Sequence, residues 1–238
     1  RLSLVGSEMC IRDSSLSGQG TAVSNLFTPR NAGLSGSGFG GNNKLKPLFI
    51  NNMIDKFDNR YQNSIITQYE TASRQFNINP WSTGYIPTNL ETGNTLGTLW
   101  QVWTAKYIDT EATTEYTSRQ NWHVIRLADV YLMRAEASAE ILSDPSAANA
   151  DINILRSRVE MNEIDYSAMS IMQFRDEILK ERAVELYMEG HRFFDLTRFG
   201  VYDEYCRFVY GDTDGARQAE DCTWPIPIIE TSSNSEID

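Results

Sequence analysis

The chain predicts a mainly α fold of stacked helical hairpins of the tetratricopeptide kind, with long loops and a few short strands. Three observations carry this. Between Val124 and Phe199, apolar residues recur at three- and four-residue spacing in four successive windows. Residues that start or stop helices bound each window. Small residues, Ala128, Ala135, Ala137 and Ala150, stand where neighbouring helices would touch. The spacing is looser than the period of about 34 residues in strict tetratricopeptide repeats.

The first helix is expected over residues 124–142, with Ile125, Ala128, Leu132, Ala135 and Ala139 turned inward. Ser143-Asp144-Pro145 ends it and supplies an N-cap for a second helix over about 146–161, whose buried stripe is Ala150, Ile154, Leu155 and Val159. Residues 162–167 read as a loop. Ser170 suits the N-cap of a third helix, about 171–188, carrying Phe174, Ile178, Ala183, Leu186 and Tyr187, with Gly190 as its C-cap. A fourth, short helix over 191–199 ends at Gly200.

The flanks read differently. Residues 1–46 hold eight of the fifteen glycines and show neither a helical nor a strand period, which predicts a loop. The opening Leu2 to Ser14 resembles a translated adapter read-through and is set aside from fold reasoning. Residues 47–238 are expected to form one domain: loop-rich over 47–123, helical over 124–200, and an irregular closure over 201–238. In the loop-rich part, Ile65-Ile66-Thr67-Gln68-Tyr69 alternates as a short strand does, and turns fall at Asn79-Pro80 and Glu91 to Asn94. Trp122 and His123 read as packing at the start of the first helix. Trp224-Pro225-Ile226-Pro227 suits an extended edge that Trp224 anchors, since two prolines forbid helix.

Charge narrows the function. A net charge of -11, from 32 acidic against 21 basic residues, repels phosphate backbones and anionic lipid surfaces, so no nucleic-acid partner is expected. No run approaches the roughly 18 apolar residues a bilayer span needs. Cys10 lacks the apolar lead-in of a lipidated cysteine, with Glu8 beside it. Cys206 and Cys222 show no metal-type spacing, and His123 and His191 are the only histidines, so neither a metal nor a cofactor is expected. A Cys206–Cys222 bridge requires export; two separate thiols are the simpler reading.

The most informative stretch runs from Glu181 to Gly200. Glu181, Glu185 and Glu189 stand at successive i,i+4 positions and form an acidic stripe that Arg182, Arg192 or Arg198 can meet. Two chemistries compete for it. Paired carboxylates can serve as general acid and base, with Asp195 or a His191–Asp195 dyad joining them, which would make a glycoside hydrolase. Alternatively the acids and arginines form a structural network that clasps the last two helices, with Phe193, Phe194 and Phe199 burying its surroundings. We favour the network, because every acid has an arginine fork in reach and an ion-pair network sets registry without needing substrate. No catalytic residue is therefore assigned. A third reading makes the helical hairpins a scaffold for a protein or peptide segment.

This stretch resembles the signature of the SusD/RagB family, the outer-membrane nutrient-binding lipoproteins of Bacteroidetes, in which E-R-x-x-E-L-x-x-E-G-x-R-x-x-D-L-x-R-x-G recurs. It matches at Glu181, Arg182, Glu185, Glu189, Gly190, Arg192, Asp195 and Arg198. Further matches follow family order. Phe57-Asp58-Asn59-Arg60-Tyr61 is similar to a D-x-R step at the start of a strand, and Lys106-Tyr107 to a K-[YF] step. Ile125 to Ala137 resembles the R-x-A-D-V-x-L-x-x-A-E-A helix, Asn153 to Arg158 the L-N-x-x-R-x-R helix, and Pro225-Ile226-Pro227 the closing P-I-P. A signal peptide, a lipidated cysteine, an N-terminal half and the N-P-x-x-x-Q-N ending are not matched, so the resemblance implies a C-terminal fragment.

What the resemblance implies is a cell-surface protein, lipid-anchored in its full length, that holds an oligosaccharide, or a peptide in RagB-like members. It would sit on a SusC-like TonB-dependent transporter. Composition agrees with a sugar ligand over residues 76–107. Sugar C–H faces stack on aromatic rings, and sugar hydroxyls need amides and hydroxyls. The candidate contacts are Trp81, Tyr85, Asn79, Asn89, Trp100 and Trp103. Trp81 and Tyr85, flanked by Pro80, Gly84 and Pro87, are the best placed for exposure. Trp100 and Trp103, three apart, also suit inward packing.

Overall fold

The computed structural model describes residues 8–11, 26–28, 43–45, 47–71, 74–77, 88–89, 102–111 and 118–205. Helix predominates among them, and the fold is mainly α. Two compact units divide the chain, Arg1–Arg192 and Phe193–Asp238.

In the first unit, strand β1 (Glu8–Ile11) pairs antiparallel with β7 (Trp122–Arg126), with Met9 opposite Ile125. This corrects two expectations. Residues 8–11 are not loop, and the helix expected from Val124 begins at Leu127. Val124 and Ile125 are β-branched and find a strand partner, and Arg126 at φ -135 and ψ 163 is still extended. Two helices also replace expected loops, α1 (Pro47–Met53) and α2 (Asn59–Ser64). Asp58 was expected to begin a strand, but its carboxylate accepts the backbone N–H of Arg60 at 2.8 Å and caps α2 instead. Short strands follow as the composition suggested. β2 (Ile65–Ile66) pairs with β6 (Trp103–Thr104), while β3 (Gln68–Thr71), β4 (Arg74–Asn77) and β5 (Thr88–Asn89) form an antiparallel sheet in that order.

The hairpin scaffold consists of α3 (Leu127–Leu142), a 3-10 turn (Pro145–Ala148), α4 (Asn149–Arg158) and α5 (Ile171–Glu185). Ser143 takes the left-handed conformation that ends α3, and Asp144 accepts from Ser146 N at 2.9 Å to start the next turn. Ser170 and Gln173 exchange bonds as a capping box at the start of α5. α3 packs on the 3-10 turn, α4 and α5. Leu132, Ala135 and Ala139 of α3 are fully buried with Ile152 and Leu155 of α4 and Phe174 and Ile178 of α5. Each large side chain among them contributes roughly 1.5–3 kcal/mol by leaving water. The stripe of α4 is rotated from the expected one: Asp151, Ile152, Leu155 and Val159 are buried, whereas Ala150 and Ile154 face solvent. Burying Asp151 is offset by Arg134, which holds it with two hydrogen bonds. The hairpin therefore turns a carboxylate inward where apolarity alone would turn Ile154.

The second unit begins with the body of α6 (Arg192–Arg198) and continues to α7 (Tyr202–Glu204). Phe193 meets Phe194 and Tyr202 edge-on at 5.4 Å. Phe194 is 68% exposed and Phe193 also faces solvent, so neither is the buried ring that was expected.

Candidate functional site

α5 ends at Glu185, so Glu181 and Glu185 lie on its last turns and Glu189 falls in the turn that follows. Gly190, at φ +88, closes that turn rather than capping α5 directly. All three glutamates are buried, and cations from far upstream converge on them. Arg60 donates Nη1 to Glu181 Oε1 at 2.6 Å and to Glu185 Oε2 at 3.0 Å, while its other donors hold Asp58 at 2.7 to 3.0 Å. Arg126 bridges Glu185 Oε1 at 2.6 Å and Glu189 Oε2 at 2.7 Å. Arg158 reaches Glu185 Oε1 at 2.6 Å, and Arg156 reaches Glu181 Oε2 at 3.4 Å. Lys106 Nζ meets Glu189 Oε1 at 2.5 Å.

Two of these cations also close the helix. The last carbonyls of a helix lack internal donors and carry the negative end of its dipole. Lys106 Nζ donates to the carbonyls of Glu185 at 2.8 Å and Tyr187 at 3.0 Å, over the Tyr187 ring at 3.9 Å. Arg126 Nη2 donates to the Glu185 carbonyl at 2.6 Å, and Tyr107 Oη donates to that of Met188 at 3.0 Å.

Protonation follows from these contacts. Burial alone would raise the Glu185 carboxyl, but Arg126, Arg60 and Arg158 outweigh it and hold the group far below the usual carboxylate range. Glu189 is likewise held low, burial being overcome by Lys106 and Arg126. Burial pulls the Lys106 ammonium down to about 8 against the attraction of Glu189. A general acid needs a raised pKa and a general base needs an accessible lone pair. Glu185 has neither, since Oε1 accepts two guanidinium bonds, Oε2 accepts a third, and the side chain is buried. The geometry is that of a support.

The partners expected for the stripe are corrected. Its cations are Arg60, Lys106, Arg126, Arg156 and Arg158. Arg182 pairs with buried Asp129 at 2.9 Å, and Arg192 Nη1 donates to the Leu179 carbonyl at 2.9 Å. Asp195 and Arg198 pair with each other at 3.0 Å. The glutamates thus tie α5 to segments that precede it. Each upstream cation stands in one of the short motifs read along the chain, so motifs separate in sequence are parts of one cluster. That was the missed signal, because each motif holds a cation whose carboxylate on α5 or the turn after it lies in another motif.

Of the candidate ligand contacts, Trp103 is corrected. It is 1% exposed in the β2–β6 pair and presents no ring face to solvent. Asn89 lies in β5 opposite Phe76. Trp81, Tyr85, Asn79 and Trp100 lie outside the described residues, as do Cys206, Cys222 and Trp224 to Pro227. Trp122, expected against the first helix, sits in β7 and stacks on Tyr107 at 5.3 Å with 5° between ring planes, Phe27 closing the group. Among the described residues no group of three or more histidines, cysteines or acids could hold a metal ion, and no helix is long and apolar enough to cross a membrane. An open cleft of about 510 Å³ runs along the outer face of α4, lined by Asn153, Ile154, Ser157 and Glu163 among others.

Fold and cluster together define a helical-hairpin protein whose most marked carboxylates are structural supports. The chain belongs to the SusD family, whose model matches residues 49–238. It is 38% identical over 96 residues to SusD-like protein P25 of Formosa agariphila, a stretch covering 40% of this chain and 18% of that protein. It is 31% identical over 116 residues to the starch-binding protein SusD of Bacteroides thetaiotaomicron, covering 47% and 19% respectively. A SusD superfamily protein from Parabacteroides distasonis shares the fold at a TM-score of 0.64 and 19% identity, covering 97% of this chain and 48% of that one. A laminarin-binding SusD-like protein aligns at a TM-score of 0.56 and 26% identity, covering 89% and 42%. The matched stretches span about a fifth of the curated relatives and under half of these structures.

Proposed function

We propose that this chain is part of a cell-surface protein that holds an oligosaccharide without turning it over. The observation that carries the reading is its likeness, at 26% identity over 89% of its length, to a SusD-like protein that binds laminarin. The state of Glu185 supports the absence of turnover, because an acid neutralised by three guanidiniums has no proton to give. Trp81, Tyr85 and Trp100 supply ring faces and Asn79 and Asn89 supply amides, while buried Trp103 belongs to the core. The ligand passes to a SusC-like TonB-dependent transporter. The full-length protein meets the membrane through a lipid anchor.

Calorimetric titration with laminarihexaose and with soluble starch tests the reading. Saturable binding of either, lost in Trp81→Ala, is the expected result. Absence of binding to both, or release of reducing ends that Glu185→Gln abolishes, would contradict it. Co-purification with a neighbouring transporter in mild detergent tests the delivery step, and failure to co-purify counts against it.

A further inference from the structure

The outer face of α4 carries an isoleucine that the hairpin core does not take in. Ile154 is 41% exposed, because Asp151 and Ile152 occupy the inward positions. A single exposed isoleucine is ordinary on a protein surface. This one lies with Ala150 and Ile164 along the open cleft of about 510 Å³, a volume within the roughly 300–1,000 Å³ of ordinary ligand pockets.

The wall facing α4 is segment 163–166, and two asparagines one turn apart hold it in place. The Ile164 N–H donates to Asn153 Oδ1 at 2.9 Å, and Asn153 Nδ2 donates back to the Ile164 carbonyl at 2.9 Å. The Tyr166 N–H donates to Asn149 Oδ1 at 3.0 Å, and Asn149 Nδ2 donates to Asp165 Oδ1 at 2.9 Å. Tyr166, 1% exposed, anchors the segment from beneath, edge-on to Phe174 at 5.5 Å. The cleft is therefore formed before anything enters it, so the cost of ordering its wall falls on folding and not on binding.

Its charge has one sign. Glu163 and Asp165 line the cleft, and no cation is among the lining residues. The Glu163 side chain has no partner among the described residues. Bonds from Ser167 and Asn149 hold the Asp165 carboxyl below its usual value. No aromatic ring lines the cleft, so a sugar would find no stacking face there. We propose that this cleft is a second binding site, which takes an extended segment of a partner protein bearing a lysine or arginine beside an aliphatic side chain. Such a residue matches both features at once: its methylene stem lies along Ile154 and Ile164 while its charged head stays in water beside Glu163. The site stands whether or not the chain binds a glycan.

Fluorescence anisotropy on the full chain tests this with a fluorescein-labelled pentapeptide amide, leucine-lysine-valine-arginine-leucine. The comparison peptide carries glutamate at both basic positions. The basic peptide is expected to bind saturably and at least ~10-fold tighter than the acidic one, and to weaken as salt is raised. Glu163→Lys is expected to weaken it at least ~10-fold and Ile154→Ser about 3-fold. Both side chains are exposed, so neither substitution removes core packing. Glu111→Lys makes the same charge change at an exposed pair elsewhere and is expected to leave the affinity within about 2-fold, which separates the cleft from the overall charge of -11. In nitrogen–proton correlation spectra, the basic peptide is expected to shift the amides of Asn153, Ile154 and Ile164. Equal affinity for the two peptides, equal losses in Glu163→Lys and Glu111→Lys, or unshifted amides over 149–165 would overturn the proposal. Shifts of those amides by laminarihexaose in place of the peptide would also overturn it, by making the cleft a sugar site.

Discussion

Two kinds of ion pair in this molecule have nearly the same lengths and different consequences. On the outer surface, Arg175 grips Glu140 through two bonds of 2.6 and 2.7 Å, and Arg119 meets Glu111 at 3.0 Å. In the interior, Arg126 meets Glu185 and Glu189 at 2.6 and 2.7 Å. Length therefore does not rank them. The Arg119 and Glu111 side chains are 77% and 74% exposed, so losing one partner leaves the other in water. Glu185 is 2% exposed and is shared by Arg60, Arg126 and Arg158, so losing it removes one negative charge from a buried group of three guanidiniums. Exposure decides what a pair is worth.

The sharpest way to break this comparison is Glu185→Ala, which takes the carboxylate partner of Arg158 and leaves Arg126 with Glu189 alone and Arg60 with Asp58 and Glu181. A loss of about 3–5 kcal/mol in urea unfolding is expected, against near-neutrality for any exposed pair. Next comes Arg182→Ala, which leaves Asp129 buried beside α5 and is expected to lose about 3 kcal/mol by the same assay. A smaller loss than at an exposed pair would show that Asp129 finds water.

Acid provides a third test. Glu185 and Glu189 lie below their ordinary value of 4.5 in the folded chain, so as pH falls the unfolded chain takes up their protons first. Their stabilisation is complete above about pH 4.5 and is lost as pH falls through the folded values. Urea midpoints are expected to hold between pH 7 and pH 5 and to drop steeply towards pH 3, with Glu189→Gln flattening part of the slope. A midpoint indifferent to pH over that range would place these carboxyls in solvent. The smallest effect is expected for Arg119→Ala, within about 0.5 kcal/mol of the unaltered chain.

Local signals were legible in the sequence and distant partners were not. Ser170 capping α5, Asp144 starting the turn after α3, and the inward set Phe174, Ile178, Ala183, Leu186 and Tyr187 all follow from residues within one or two turns. The partner of Glu181 could not be read this way, because Arg60 lies 121 residues upstream and spacing along the chain does not report such an encounter. The expected partners, Arg182, Arg192 and Arg198, were near in sequence and have other roles. β7 was misread for a similar reason. Its apolar spacing continues into α3, and only the pairing with residues 8–11 makes it a strand. Of the ligand candidates, Trp103 shows the limit most clearly, since a tryptophan looks alike in sequence whether its ring is a binding face or core.

The central claim is that Glu185 and Arg126 belong to one buried support. A double-mutant cycle in urea unfolding tests it, using Glu185→Gln, Arg126→Gln and the pair. Each single change is expected to cost about 3 kcal/mol or more, and the double change well short of the sum, with a coupling of at least about 1.5 kcal/mol. Single costs within about 0.5 kcal/mol, or costs that simply add, would contradict the account.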